Sequence, residues 1–236
     1  REMGVEIKCG IEVGKDITID QLRAEGYKAF YVAIGCQGGK KPNVVGSDAE
    51  GVTTAVDFLK VANCGGYAVK GKTIVIGGGN VAIDAARVSV RSGAKEVAMY
   101  CLETRDIMPA SNEEIAEAQE DGVAINCGWG PKEVVVENGK AVAVVFKKCL
   151  SVFDENNRFN PVYDENETQT VACDNVIFAV GQTIVWGDLL KGTKVEFGRG
   201  NGPVADTLTY QTAEEDIFVG GDVFTGPKFA IDAIAQ

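Results

Sequence analysis

The sequence contains no histidine. With it goes the commonest general base and metal ligand, which argues against triad hydrolysis and ordinary zinc chemistry. Its seven cysteines are odd in number and scattered, at Cys9, Cys36, Cys64, Cys101, Cys127, Cys149 and Cys173. None forms a Cys-x-x-Cys pair, so a cluster, a metal site and a redox disulfide all lack their usual ligands, and most of the thiols read as small buried apolar residues. No apolar run reaches the roughly 18 residues of a membrane helix, and Arg1-Glu2-Met3-Gly4 has neither the basic nor the apolar region of a signal peptide. A soluble, cytoplasmic protein is expected. Basic residues are scarce, 23 against 34 acidic, and a net charge of −11 would repel nucleic acid and anionic lipid. Prolines are few, 6 beside 29 glycines, and the glycines close apolar runs as strand-to-helix turns require, which excludes a low-complexity chain. The chemistry must therefore be carried by something the chain binds; no catalytic acid or base and no metal ligand is nominated.

What is present suffices for a sizeable core: 236 residues, 45% hydrophobic, enough for two modest domains or one large one. Val5 to Val13 is predicted as a strand, Asp20 to Gly26 as a short capped helix, and Ala29 to Ile34 as a buried strand stopping at Gly35. A helix over 53–63 and a boundary near Cys64-Gly65-Gly66 follow. Thr73-Ile74-Val75-Ile76 is a β-branched run ending in Gly77-Gly78-Gly79, Asn80 to Arg91 has helical spacing, and Glu96 to Tyr100 supplies the next strand, making a βαβ unit. Ser111 and Glu114 predict a capping box for a helix running to Gly122. Glu133 to Glu137, Asn138-Gly139 and Ala141 to Lys147 predict a hairpin, polar Asp154 to Thr170 an exposed excursion, and Val176 to Val180 a buried strand ending at Gly181. A strand at Ile217-Phe218-Val219 ends in Gly220-Gly221-Asp222, and a helix after Pro227 still runs at Gln236, so both ends read as cut from a longer protein.

Gly77-Gly78-Gly79-Asn80-Val81-Ala82 fits G-x-G-x-x-A. The first glycine makes the turn, the second lets backbone approach a pyrophosphate, and Ala82 permits close packing of helix on strand. Phosphates would sit on the helix N-terminus, where free N–H groups and the helix dipole favour negative charge. The next strand closes as Tyr100-Cys101-Leu102-Glu103-Thr104-Arg105. Glu103 would bind a ribose diol and repel a 2′-phosphate, favouring NAD, although it stands somewhat farther on than the roughly 20 residues usual. Arg105 could reach a 2′-phosphate instead, and Glu103 also reads as a solvated loop charge. Gly35 and Gly181 each end a buried strand at a sheet's carboxyl edge, where doubly wound folds hold ligands; a plain strand-and-turn explains either as well. Asp222, among glycines at a strand end, could accept hydrogen bonds from ligand hydroxyls or serve as an ordinary N-cap.

In this order, the four elements resemble the two-dinucleotide-binding-domain flavoproteins, and their wording is similar to the small (β) subunit of NAD(P)H-dependent glutamate synthase and its relatives over nearly the whole chain. The resemblance implies an α/β fold: a Rossmann-like NAD(P)-binding domain (67–183) with a small antiparallel meander, inserted between the parts of an FAD-binding domain (1–66 and 184–236). It implies FAD contacts at Gly35, Gly221 and Asp222, with the backbone of Lys228, Phe229 and Ala230 near the flavin ring. Gly77, Gly79, Asn80, Val81 and Ala82 would form the NAD(P) site; the motif reading itself adds Gly78, Glu103, Arg105 and Gly181 as cofactor-binding candidates. NADP-using members carry two adjacent arginines where Leu102 and Glu103 stand here, which again favours NAD. The family's first FAD-binding glycine loop and iron-sulfur cysteines are absent, so FAD is expected in the intact protein. The implied activity is hydride transfer from NAD(P)H to FAD, with electrons passing to iron-sulfur centres or a partner subunit. A disulfide reductase, against which the missing cysteine pair counts, and a non-catalytic nucleotide-binding or docking module are the alternatives.

Overall fold

The computed structural model describes residues 3–65 and 68–236. In chain order its elements are α1 (Ile19–Ala24), β1 (Phe30–Val32), β2 (Gly38–Gly39), β3 (Val52–Thr54), α2 (Ala55–Asn63), β4 (Lys72–Ile76), α3 (Asn80–Arg91), β5 (Glu96–Cys101), α4 (Asn112–Glu120), β6 (Ala124–Cys127), β7 (Trp129–Glu137), β8 (Lys140–Phe153), β9 (Phe159–Ala172), β10 (Asn175–Phe178), β11 (Gln182–Thr183), β12 (Ile217–Val219), α5 (Asp222–Thr225) and α6 (Ala230–Ile234). The chain divides into two compact units, Gly39–Gly181 and the pair of segments Arg1–Gly38 and Gln182–Gln236.

The Gly39–Gly181 unit is built on a parallel sheet ordered β3-β10-β4-β5-β6. Strand β4 reads as a continuous apolar run because both its faces are covered. Val75 faces a core made with Phe58, Ile83, Met99 and Ile115, which α2, α3 and α4 close. Ile74 and Ile76 face the opposite way, into a core with Val144, Phe146 and Phe178. That second face is covered by the antiparallel sheet β7-β8-β9, whose Phe146 stacks on Tyr100 with ring centres 4.1 Å apart. The small residues Ala82, Ala85 and Ala86 are fully buried and let α3 lie close on the sheet. The β7–β8 turn places Asn138 at φ 49° and Gly139 at φ 82°, the left-handed pair that Asn-Gly hairpins adopt. This is a mixed α/β, Rossmann-like fold with an antiparallel meander.

The order of strands positions a site. From β4 the chain moves to β5 on one side, whereas β10 returns on the other. Such a reversal opens a crevice at the carboxyl ends of the strands flanking it.

Several expectations are corrected. The expected boundary after residue 66 falls on residues outside those described, and the segment from Gly39 belongs to the central unit: β3 pairs with β10 and α2 packs into the α3 core. Polar Asp154 to Thr170 is no excursion. After a turn at Asp154, residues from Phe159 onward form β9, an edge strand whose solvated face lacks apolar alternation. Val5 to Val13 does not form a strand; Val5, Ile7 and Ile11 are more than half exposed, and only Val13 bridges, to Ile17. No helix among the described residues is long and apolar enough to cross a membrane.

In the other unit β1 and β12 pair in parallel, Phe30 to Ile217 through Val32 to Val219. Ile19, Val32, Ile184, Leu190 and Val219 form its core. Helix α1 opens with a capping box between Thr18 and Gln21. Its Arg23 grips Asp216 with two bonds of 2.7 Å, a forked geometry that lysine cannot reproduce.

Candidate nucleotide-binding site

At the carboxyl ends of β4 and β5 lies a cavity of about 540 Å³, floored by Gly77, Gly78 and Gly79 and walled by Glu103. Gly77 turns the chain out of β4. Its φ is +147°, and a Cβ there would collide with the carbonyl of Ala179, so the fold itself demands glycine. Its N–H still belongs to the sheet, donating to Tyr100 O at 2.9 Å.

Gly79 differs. As N-cap of α3 it has φ −94°, which any residue adopts, and a Cβ there would meet nothing within 4 Å. The fold does not need glycine at this position; an approaching ligand would. Among the described residues, no acceptor takes the N–H of Gly78, Gly79, Asn80 or Val81, and the first turn of α3 carries no acidic side chain. These four N–H groups stand at the positive end of a twelve-residue helix, with Gly78 and Gly79 in the cavity's floor. An anion fits there.

Glu103 sits over Gly78. A Cβ on Gly78 would lie 2.7 Å from Glu103 Oε2 and 3.1 Å from Cys101 Cβ, so the carboxylate rests against the glycine turn, while the Glu103 carbonyl is fixed by Gly128 N at 2.9 Å. Arg105 does not join it. That side chain is exposed and donates to Asn112 Oδ1 at 3.2 Å. The Asn80 side chain turns to Ser111 N, 3.0 Å away, and Ala82 is buried beneath α3. Gly181 follows Val180, which lines the cavity.

The cavity also contains residues that no motif announced. Lys40 and Lys41 reach it from the segment before β3, and Trp129, Phe159 and Tyr163 from the antiparallel sheet. The aromatics stand in β7 and β9, and their signal was ring-bearing residues within an otherwise polar stretch. The cavity contains no reactive thiolate: burial, then the neighbouring Cys127 thiol, pushes the Cys101 thiol well above its ordinary range. Among the described residues no group of three or more histidine, cysteine or acidic side chains is placed to hold a metal ion. A larger cavity, about 670 Å³, opens at the amino ends of β4 and β10. Its charges are satisfied within the protein, Lys72 by Glu96 at 2.7 Å and Lys140 by Glu50 at 2.9 Å, so it presents no free donor.

The remaining candidates lie in the other unit, at the carboxyl ends of β1 and β12. Gly35 follows β1; Gly221 and Asp222 follow β12. Asp222 Oδ1 accepts the Lys228 N–H at 3.1 Å, and Gly221 N donates to Gln236 Oε1 at 2.7 Å. Phe229 is largely exposed beside Ala230, the first residue of α6.

The sequence profile of pyridine nucleotide-disulphide oxidoreductases matches residues 3–236. The chain belongs to that family. Among curated relatives, the small chain of glutamate synthase [NADPH] from Halomonas elongata is 31% identical over 249 residues, covering 100% of this chain and 52% of its own length. The NAD-dependent dihydropyrimidine dehydrogenase subunit PreT of Escherichia coli O157:H7 is 35% identical over 236 residues, covering 99% and 50%. The chain thus spans about half the length of these relatives. Among solved structures, Mycobacterium tuberculosis FprA in complex with NADPH superposes with a TM-score of 0.75 at 17% identity, over 94% of this chain and 63% of FprA, which shows the shared oxidoreductase fold.

Proposed function

We propose that this pyridine nucleotide-disulphide oxidoreductase family member binds a nicotinamide dinucleotide at the β4–α3 turn and serves a flavoprotein that moves hydride from the dinucleotide to FAD. The observation carrying this reading is Gly79: an unconstrained φ, open space where a Cβ would stand, and free N–H groups around it. Glycine at such a position is explained by close approach of a pyrophosphate. Glu103 would accept hydrogen bonds from the adjacent ribose diol and would repel a 2′-phosphate, which favours NAD. The names of the relatives divide between NADPH and NAD, so the carboxylate is the better guide.

FAD fits the other unit at Gly35, Gly221 and Asp222, with the backbone of Lys228, Phe229 and Ala230 beside it. Asp222 Oδ2 has no partner among the described residues and can accept from a ligand hydroxyl. When bound, nicotinamide and flavin supply the hydride donor and acceptor, and no protein acid or base is required between them. The chain's part is to bind and align. Its resemblance to glutamate synthase small chains extends the proposal to an electron-accepting partner, an iron-sulfur centre or a larger subunit.

The test is calorimetric titration of NADH into the wild type and Gly79→Ala. An added methyl meets no protein atom, so the melting temperature should hold while affinity falls at least tenfold. Equal affinities in the two proteins would remove the proposed phosphate site. Bleaching of flavin absorbance by NADH, in protein supplied with FAD, tests the transfer itself.

A further inference from the structure

We infer that the antiparallel sheet supplies the wall on which the dinucleotide's adenine ring stacks, with Phe159 and Tyr163 of β9 as its stacking residues. The inference rests on the nucleotide reading above and adds to it a base-recognition surface outside the Rossmann-like sheet.

Phe159 is 66% exposed, and it lines the same cavity as Gly79 and Glu103. It is also held in place. Phe159 pairs in register with Phe153 on β8, and the rings meet edge to face at 6.4 Å, so the exposed face is pre-organised for a further ring. Tyr163 lies farther along β9 and lines the same cavity as Glu103; burial raises the pKa of its phenol, with smaller contributions from Cys149, Glu165 and Glu103. Lys147, which does not line the cavity, sits 4.1 Å from the Tyr163 ring centre and steadies it from outside. Trp129, at the start of β7, completes the wall.

The position of this wall identifies its occupant. Glu103 takes the ribose whose phosphate rests on the α3 N-terminus, and the base on that ribose is the adenine. A purine next to Glu103 has ring-bearing side chains on one side and the glycine turn on the other. Stacking of a base on an aromatic side chain is strong enough for its loss to be read as roughly a tenfold change in affinity.

The experiment titrates NADH and ADP-ribose into the wild type, Phe159→Ala, Phe159→Trp and Gly79→Ala. Because Phe159 is mostly solvated and meets chiefly Phe153, its removal should lower the melting temperature by only a few degrees. Phe159→Ala is expected to weaken NADH and ADP-ribose by the same factor, about tenfold. Phe159→Trp should restore affinity to within about twofold, with the introduced indole quenched by ADP-ribose. If Phe159→Ala binds NADH as the wild type does while Gly79→Ala does not, the nucleotide site stands and the stacking wall falls. If NADH weakens but ADP-ribose does not, the ring touches nicotinamide and the assignment to adenine is overturned. If the wild type binds neither ligand, both readings fall.

Discussion

The side-chain oxygen of Asn80, first residue of α3, accepts the backbone N–H of Ser111, N-cap of α4, at 3.0 Å. This bond ties the glycine turn to the next helix, and Ala110 N to Gly78 O, also 3.0 Å, reinforces it. Removing the acceptor strands a cap N–H, so Asn80→Ala should lower the unfolding free energy by about 1 kcal/mol, measured by urea denaturation. Asn80→Asp keeps the acceptor and should keep the stability. It also places a carboxylate where phosphates are proposed to sit, so NADH affinity should drop several-fold at low salt and recover partly at high salt.

The same bond displaces Glu114. The expected capping box is only half formed: Ser111 Oγ accepts from Glu114 N, but Ser111 N is taken by Asn80, and Glu114 Oε2 is buried with no partner among the described residues. Burial, then the charges of Asp84 and Glu117, raises the Glu114 pKa against the opposing pull of Arg87. A carboxyl whose folded pKa is raised contributes stability that is present below its unfolded value, near 4.3, and lost as pH rises through the folded value. Glu114→Gln should therefore melt higher than the wild type at pH 7, with the gap closing as pH falls through the raised folded value toward about 4.3. A gap that widens in acid would reverse the sign and contradict the buried, unpartnered carboxyl.

How much of this was legible in the sequence depended on whether local chemistry or distant partners set each feature. The β4–α3 turn was readable because its glycines and Ala82 form one contiguous pattern, Gly77 and Ala82 answering steric demands of the fold and Gly79 leaving open space, and Asn138-Gly139 specified its hairpin through the left-handed backbone it allows. β9 was not, because an edge strand with one solvated face owes its existence to β8. Val5 to Val13 erred the other way: its alternation suits a strand, but among the described residues only Val13 finds a bridge, to Ile17. The aromatic side of the cavity had only the faint signal of rings in a polar stretch, since Phe159 and Tyr163 come to line one cavity with Gly79 only through tertiary packing. Arg105, two residues beyond Glu103, stood as a competing contact for a 2′-phosphate; in the structure the Glu103 carboxylate lies against Gly78 and the Arg105 guanidinium donates to Asn112.

Glu103 gives a specificity prediction. Its Oε2 lies 2.7 Å from where a Gly78 Cβ would be, and in the proposed site that charge would oppose a 2′-phosphate. Glu103→Gln should weaken NADH several-fold through loss of a charged acceptor without admitting NADPH well. Glu103→Arg should shift the ratio of NADPH to NADH affinity upward by at least about tenfold, read by calorimetry. NADPH binding to the wild type as tightly as NADH, unaffected by either change, would remove Glu103 from the site.

The thiols test whether disulfide exchange belongs to this chain. Such chemistry needs an accessible thiolate. Cys9 and Cys64 are exposed, whereas Cys101, Cys149 and Cys173 are buried. Burial pushes Cys173 up to about 11, leaving about one thiol in a thousand ionised at pH 8, and pushes Cys101 higher still. Cys101 and Cys127 stand in register on β5 and β6 with sulfurs 3.8 Å apart, close enough to invite comparison with a redox pair. N-ethylmaleimide at pH 8 should label Cys9 and Cys64 first, and Cys101 and Cys173 only after denaturant is added, as read by peptide mass spectrometry. Rapid labelling of Cys101 in the native protein, suppressed by NADH, would instead place a working thiol in the nucleotide cavity and turn the assignment from flavin-linked hydride transfer toward disulfide reduction.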